Sequence, residues 1–225
     1  MALEQNPQLV VFDWSGTVSF DLPPVYEANM EILRQSGKPT MDFESWKPRT
    51  RLTAAEFLIS QGVEGTTEEL LAWYERELAL AKERGVTPTA YTDAHATLSF
   101  LAGKDLRIAV LSSHPENHLR EEADEYGLTG FIKLFVGDSK DKVMDLARIM
   151  ERFGIVNSQR ALMVGDTIYD IQAGKRWGTL TAAVTTGYHS RKRLAAENPD
   201  LLSDNLTGIR LWFDGGGSNT SGAIS

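Results

Sequence analysis

Val10–Val18 reads VVFDWSGTV: an apolar run ends in Asp13 and passes at once into a turn of small residues. Asp and Gly end strands widely because their local hydrogen bonding and backbone freedom suit turns. Asp13 taken alone is therefore equally a turn residue or a functional carboxylate delivered by a strand. The surrounding sequence separates the two. Three further runs share its form: RIAVLSS ending at Ser112 and Ser113, ALMVGD ending at Asp166, and LTAAVTTG ending near Thr185. All are rich in Val, Ile and Leu and lack apolar–polar alternation, as strands covered on both faces of a parallel sheet do. KLFVG at 133–137 reads as a further strand.

Helical patterns lie between these runs. They cover 93–101, 115–126 with Gly127 as a stop, and 142–153, where Val143, Leu146, Ile149, Met150 and Phe153 form a stripe closed by Gly154. Strand–helix alternation of this kind predicts an α/β fold with a doubly wound parallel sheet. Residues 19–88 interrupt it with helices over 24–35, 54–61 and 67–84, the last with Thr66 or Thr67 as N-cap and Glu68 and Glu69 in its first turn. A helical block between the first strand and the next reads as an inserted cap. The expected organisation is a Rossmann-like catalytic core from 1–18 and 89–213, a helical cap over 19–88, and a flexible Gly- and Ser-rich tail over 214–225.

Composition narrows the partners. A net charge of −8 argues against nucleic acid, whose phosphates need a basic surface. A small anionic substrate responds to local charge and stays open. With no cysteine there is no disulfide framework, thiolate metal site or thiol nucleophile. The N-terminal sequence has no basic region before its short apolar run, unlike a signal peptide. No stretch reaches the roughly 18 apolar residues of a membrane span. The expectation is a soluble cytoplasmic chain with a small-molecule partner and no nucleic acid or membrane; the sequence carries no signal for an oligomeric state.

In open parallel sheets, ligands bind beyond the carboxyl ends of the strands. Asp13, Ser112 with Ser113, and Asp166 would converge there, joined by a lysine from SKDK at 139–142 where a helix starts. Asp170 follows Asp166 by four residues, so one helical turn brings the two carboxylates close. Carboxylates without histidine or cysteine make a hard oxygen site suited to Mg2+, which also binds phosphate oxygens. A hydroxyl, backbone N–H groups and a lysine can hold the remaining phosphate oxygens. The set reads as phosphoryl chemistry with Asp13 as nucleophile.

Taken together and in order, DWSGTV, VLSSHP, SKDK and MVGDTIYDIQAGKRWG resemble the haloacid dehalogenase superfamily, in its phosphoglycolate-phosphatase-like branch with a helical cap. The resemblance runs from about residue 9 to residue 190. It implies that Asp13 attacks phosphorus to form an aspartyl phosphate. It also implies that Mg2+ is held by Asp13, the backbone carbonyl of Ser15 and Asp166, with Asp170 acting through water or as an anchor. Ser112 and the N–H of Ser113 would bind the transferring phosphoryl group, and the phosphate-binding lysine is Lys142 or Lys140.

One position departs from the family. Its phosphatases carry a second aspartate two residues after the nucleophile, to protonate the leaving oxygen and then activate water. This chain has Ser15 there, and a hydroxyl is too weak an acid and base for a role that supplies about 10²–10⁴-fold in rate. Three readings follow. The protein is a phosphomonoesterase whose proton comes from another group, from water or from substrate; His114, just after the double serine, is the nearest histidine in sequence, and also reads as a solvated residue at a helix start. Alternatively, DWSGT looks like the DWAGT of phosphonoacetaldehyde hydrolases, where a cap lysine forms a Schiff base and Lys47 in SWKPRTR is the candidate. In the third reading the chain keeps a phosphate site without turnover. Arg49 and Arg51 suit a substrate carboxylate bidentately, or form a solvated basic cluster. His189 in TTGYHS reads as structural.

Overall fold

The computed structural model describes residues 7–50 and 53–215. In chain order the elements are β1 (Leu9–Phe12), β2 (Ser19–Phe20), α1 (Leu22–Gln35), α2 (Phe43–Trp46), α3 (Ala54–Ser60), α4 (Thr67–Glu83), β3 (Thr89–Ala90) and α5 (Ala94–Gly103). There follow β4 (Arg107–Leu111), α6 (Glu116–Glu125), β5 (Ile132–Val136), α7 (Lys142–Arg152), β6 (Ala161–Gly165), α8 (Ile168–Trp177), β7 (Leu180–Val184), α9 (Arg191–Ala196), β8 (Leu201–Ser203) and α10 (Leu206–Phe213). Short 3-10 turns complete the path.

The register of the strands explains why their sequences do not alternate. Six parallel strands run in the order β5-β4-β1-β6-β7-β8. Val10 lies beside Ile108 and Leu162, and Val11 beside Ala109 and Met163. Val10, Phe12, Ile108, Val110, Leu162 and Val164 enter one core with Leu98 of α5, Leu119 of α6 and Ile209 of α10. Leu9, Val11, Ala109, Leu111 and Met163 enter a second core with Leu146 and Ile149 of α7 and Ala173 of α8. Successive side chains point to opposite faces, and helices cover both, so every position is apolar. Each such aliphatic side chain contributes about 1.5–3 kcal/mol on burial.

β1 lies inside the sheet. The chain lays β4 and β5 on one side of it and β6, β7 and β8 on the other, so the order reverses at the carboxyl end of β1. That is where a doubly wound sheet opens its crevice.

The expected strands and helices are present with ends shifted by one to three residues. The strand read at 133–137 is Ile132–Val136, and the helix read from Pro24 begins at Leu22. Both prolines of LPP fit the first turn, where a missing N–H leaves no helical bond unmade. Unanticipated were the two-residue β2 and β3, and β8, whose half-buried LLS becomes a strand through pairing Ala182 with Leu201. The short helices α2, α9 and α10 were also unanticipated.

The described chain divides into two compact units. One takes the residues up to Ser19 and from Ala90 onward, the other Phe20–Thr89. The second is helical. Thr53 with Glu56, and Thr66 with Glu69, make reciprocal capping boxes that start α3 and α4, which makes Thr66 the N-cap. Such a cap stabilises a helix by about 1 kcal/mol. Tyr26, Phe43 and Trp46 pack edge to face or tilted, with ring centroids 5.4–5.5 Å apart. Of the tail expected at 214–225, residues 216–225 lie outside the described residues. No described helix is long and apolar enough to cross a membrane.

Candidate active site

β1 places Asp13 by continuing its ladder one residue further: the Asp13 N–H donates to the Val164 carbonyl at 2.8 Å. The turn that follows folds back on a single acceptor. The Trp14 carbonyl takes the N–H groups of Thr17, Val18 and Ser19 at 3.1, 2.8 and 2.9 Å, and the Gly16 N–H donates to the Ser19 carbonyl. Gly16 has φ +73°, and a Cβ there would lie 2.6 Å from Asp166 Oδ2. The glycine serves both the left-handed backbone and the approach of a carboxylate.

β6 presents Asp166, which is fully buried. Its Oδ1 accepts from Thr17 Oγ1 at 3.0 Å and its Oδ2 from the Tyr188 N–H at 2.6 Å. Gly187 makes room, since a Cβ on it would stand 1.9 Å from Asp166 Oδ2. Asp170, in the first turn of α8, accepts the Thr167 N–H and hydroxyl on Oδ2 at 3.0 and 2.6 Å.

Lys142 is the first residue of α7. Asp141 caps that helix by accepting the N–H groups of Val143 and Met144. Lys142 Nζ donates to Asp13 Oδ1 at 2.8 Å and to Asp170 Oδ1 at 2.7 Å. One ammonium thus ties together carboxylates that are 157 positions apart in the chain.

Oxygens of Asp13, Asp166 and Asp170 all lie within 4.8 Å of one another. Burial, with the Asp170 charge adding, pushes Asp13 up to about 6 against the pull of Lys142. Burial and the neighbouring Asp13 and Asp170 hold Asp166 well above the carboxylate range. Burial opposes the charge on Lys142, but Asp13 and Asp170 outweigh it and raise its pKa. Three buried carboxyl groups share one ammonium, and the raised values of Asp13 and Asp166 mark groups whose negative charge lacks a full counter-charge in the metal-free site. Clustered hard oxygen donors short of positive charge fit a divalent cation of the Mg2+ kind, whose binding would favour their ionised forms.

The other expected site residues divide. Ser112 is buried at the end of β4, its N–H on the Val136 carbonyl and its Oγ accepting the His114 N–H at 3.2 Å. Ser113 is exposed beside it, and Ser15 is half-buried in the turn after Asp13, in a β-bridge with Ser19. Lys140 is exposed, and the lysine bonded to the carboxylates is Lys142. His189 accepts the Ile168 N–H on Nδ1 at 3.0 Å, and burial, with Arg193, lowers its pKa to about 4; it is a neutral anchor for the start of α8. In the helical unit, Lys47 is half-buried and Arg49 exposed on one 3-10 turn. Arg51 lies outside the described residues.

Sequence reading missed the residues that hold the carboxylates. Thr17 and the Tyr188 N–H grip Asp166, and Thr167 grips Asp170. Gly187 in TTGYHS was the available signal: glycine where backbone meets a side chain closely.

The family model for haloacid dehalogenase-like hydrolases matches residues 7–178. Phosphoglycolate phosphatase 1 of Pseudomonas aeruginosa is 30% identical over 217 residues, covering 89% of this chain and 77% of its own length. Phosphoglycolate phosphatase of Vibrio parahaemolyticus is 26% identical, covering 91% and 95%. Among solved structures, a haloacid dehalogenase-like family hydrolase from Streptococcus pneumoniae superposes with a TM-score of 0.81 over 92% of this chain and 98% of its own. At 15% identity that likeness is one of fold.

Proposed function

The chain belongs to the haloacid dehalogenase-like hydrolase family, and on that footing we propose that it is a Mg2+-dependent phosphomonoesterase of the cytoplasm. Its substrate in this reading is a small phosphorylated acid such as 2-phosphoglycolate, and its intermediate an aspartyl phosphate. The observation that carries the proposal is Lys142, bonded to both Asp13 and Asp170 in a buried cluster with Asp166. The relatives named phosphoglycolate phosphatase support the substrate class.

Asp13 attacks phosphorus through a carboxylate oxygen while the ester P–O bond breaks, and water then displaces the aspartyl oxygen to release phosphate. Lys142 keeps Asp13 ionised and aimed, and neutralises charge on the phosphoryl oxygens. Ser112 Oγ and the Ser113 N–H receive the remaining oxygens. Asp13, the Ser15 carbonyl and Asp166 would hold Mg2+, with Asp170 as direct or water-linked support; the ion supplies charge neutralisation for the in-line displacement. Thr17, Tyr188 and Thr167 orient those carboxylates.

The test is a panel of phosphate esters, with phosphonoacetaldehyde included, assayed in Mg2+ and in EDTA. Phosphate release from 2-phosphoglycolate or a similar ester, lost in EDTA, is expected. Release from phosphonoacetaldehyde alone would transfer the chain to carbon–phosphorus cleavage through Lys47. No release from any compound would make the site a binding site only.

A further inference from the structure

Ser15 cannot transfer the proton that an alkyl phosphate needs, yet the turn bearing it leads by a short path to a group that can. Ser15 is bridged to Ser19. Ser19 Oγ donates to Glu122 Oε2 at 3.1 Å, as do Trp14 Nε1 at 2.7 Å and Tyr126 OH at 3.4 Å. The Trp14 ring stacks on Tyr126 with centroids 5.9 Å apart and planes 6° from parallel. One oxygen of Glu122 is thus anchored by the turn that follows the nucleophile. The other, Oε1, stands 3.8 Å from His114 Nε2.

His114 comes directly after the two serines that face the phosphoryl group in the function proposed above. Its N–H is bonded to Ser112 Oγ, and its carbonyl accepts the Asp138 N–H at 2.8 Å. The backbone on either side of the imidazole is therefore pinned beside the phosphate-binding serine. The side chain keeps 26% of its surface exposed, so the ring is open on one side and backed by a carboxylate on the other. At that separation the carboxylate attracts the ring when it is protonated, which favours the imidazolium and draws Nε2 toward Glu122.

We propose that His114 is the acid and base of the reaction in place of the missing aspartate, with Glu122 as the residue that positions it. The inference rests on the phosphomonoesterase reading. In the first step Asp13 bonds to phosphorus, the ester P–O bond breaks, and the leaving alkoxide takes the proton from Nδ1 of the His114 imidazolium. In the second, neutral Nδ1 takes a proton from water, the resulting hydroxide bonds to phosphorus, and the aspartyl P–O bond breaks. Phosphate leaves, and Asp13 carboxylate and His114 imidazolium are restored. Burial lowers the His114 pKa below the ordinary imidazole value; Glu122 pulls it back up, His118 adds to the lowering and Asp138 opposes it.

The experiment compares 2-phosphoglycolate, whose alkoxide needs a proton, with p-nitrophenyl phosphate, whose phenolate leaves without one. His114→Gln should lower kcat on the alkyl ester by about 10²-fold or more and kcat on the aryl ester by far less. Glu122→Gln, which keeps an acceptor for Trp14 and Ser19, should shift the alkaline limb of the kcat profile to lower pH on the alkyl ester, because a charge favouring imidazolium is gone. Equal losses on both esters in His114→Gln, or an unmoved limb in Glu122→Gln, would overturn the role of His114 and leave the phosphatase reading standing. A wild-type protein inactive on both esters would overturn that reading and this inference together.

Discussion

The carboxylate cluster of the core and the basic turn of the helical unit both carry charged residues expected to meet substrate, but they are held very differently. Asp166 has partners on both oxygens, Asp170 has Thr167 on one and Lys142 on the other, and glycines crowd both. Lys47 and Arg49 ride a three-residue 3-10 turn, with Arg49 exposed. Reacting groups need fixed geometry, because small misplacements cost large factors in rate. Groups that select a substrate can sit on loops and vary.

Four substitutions and one change of pH probe that contrast, beginning with the largest effect. Asp166→Ala should abolish Mg2+ binding in calorimetry and lower turnover about a thousandfold or more, since charge stabilisation by such an ion is worth several kcal/mol. Unchanged Mg2+-dependent turnover would remove Asp166 from the site.

Crowding comes next. In Gly187→Ala the new methyl collides with Asp166, so Mg2+ affinity should fall about 10–100-fold, as when a supporting partner of a metal ligand is lost. Gly37→Ala in the helical unit meets no atom within 4 Å and carries only the strain of φ +64°, so about 1 kcal/mol of stability is its whole cost. Equal effects of the two on Mg2+ affinity would erase the distinction between the regions.

Metal and protons should compete in the core. Folding raises Asp13 from the ordinary 3.8 to about 6, so between those values the folded metal-free protein binds more protons than the unfolded chain. The contribution of Asp13 to stability is then present at low pH and is lost as pH rises through about 6. Mg2+ should therefore raise the melting temperature more at pH 7.5 than at pH 5. An increment that is the same at both pH values would show that Asp13 does not face the ion.

The smallest effect belongs to the helical unit. Arg49→Ala should change KM less than tenfold and leave the melting temperature within the roughly 0.5 kcal/mol spread of surface substitutions. A loss in kcat as large as that of Asp166→Ala would place Arg49 among the reacting groups.

Much of this was legible in the chain. Four apolar runs without alternation, each ending in Asp, Ser or Thr, already implied a parallel sheet with polar groups gathered at one end. Asp13, Asp166 and Asp170 followed from position alone, because a strand end and one helical turn are local geometry. What stayed hidden depended on contacts between distant segments. SKDK offers two lysines, and only the cap made by Asp141 and the path of α7 bring Lys142 to Asp13 while leaving Lys140 exposed. Glu122 sits in the highly charged helix ENHLREEADE, where nothing local marks one carboxylate from its neighbours. It stands out only because Trp14 and Ser19, more than 100 residues earlier, donate to it. Local periodicity and turn chemistry determine which elements form and where their polar ends fall. Which of those polar ends touch is set by the packing of both sheet faces, a property of the whole chain that no short stretch contains.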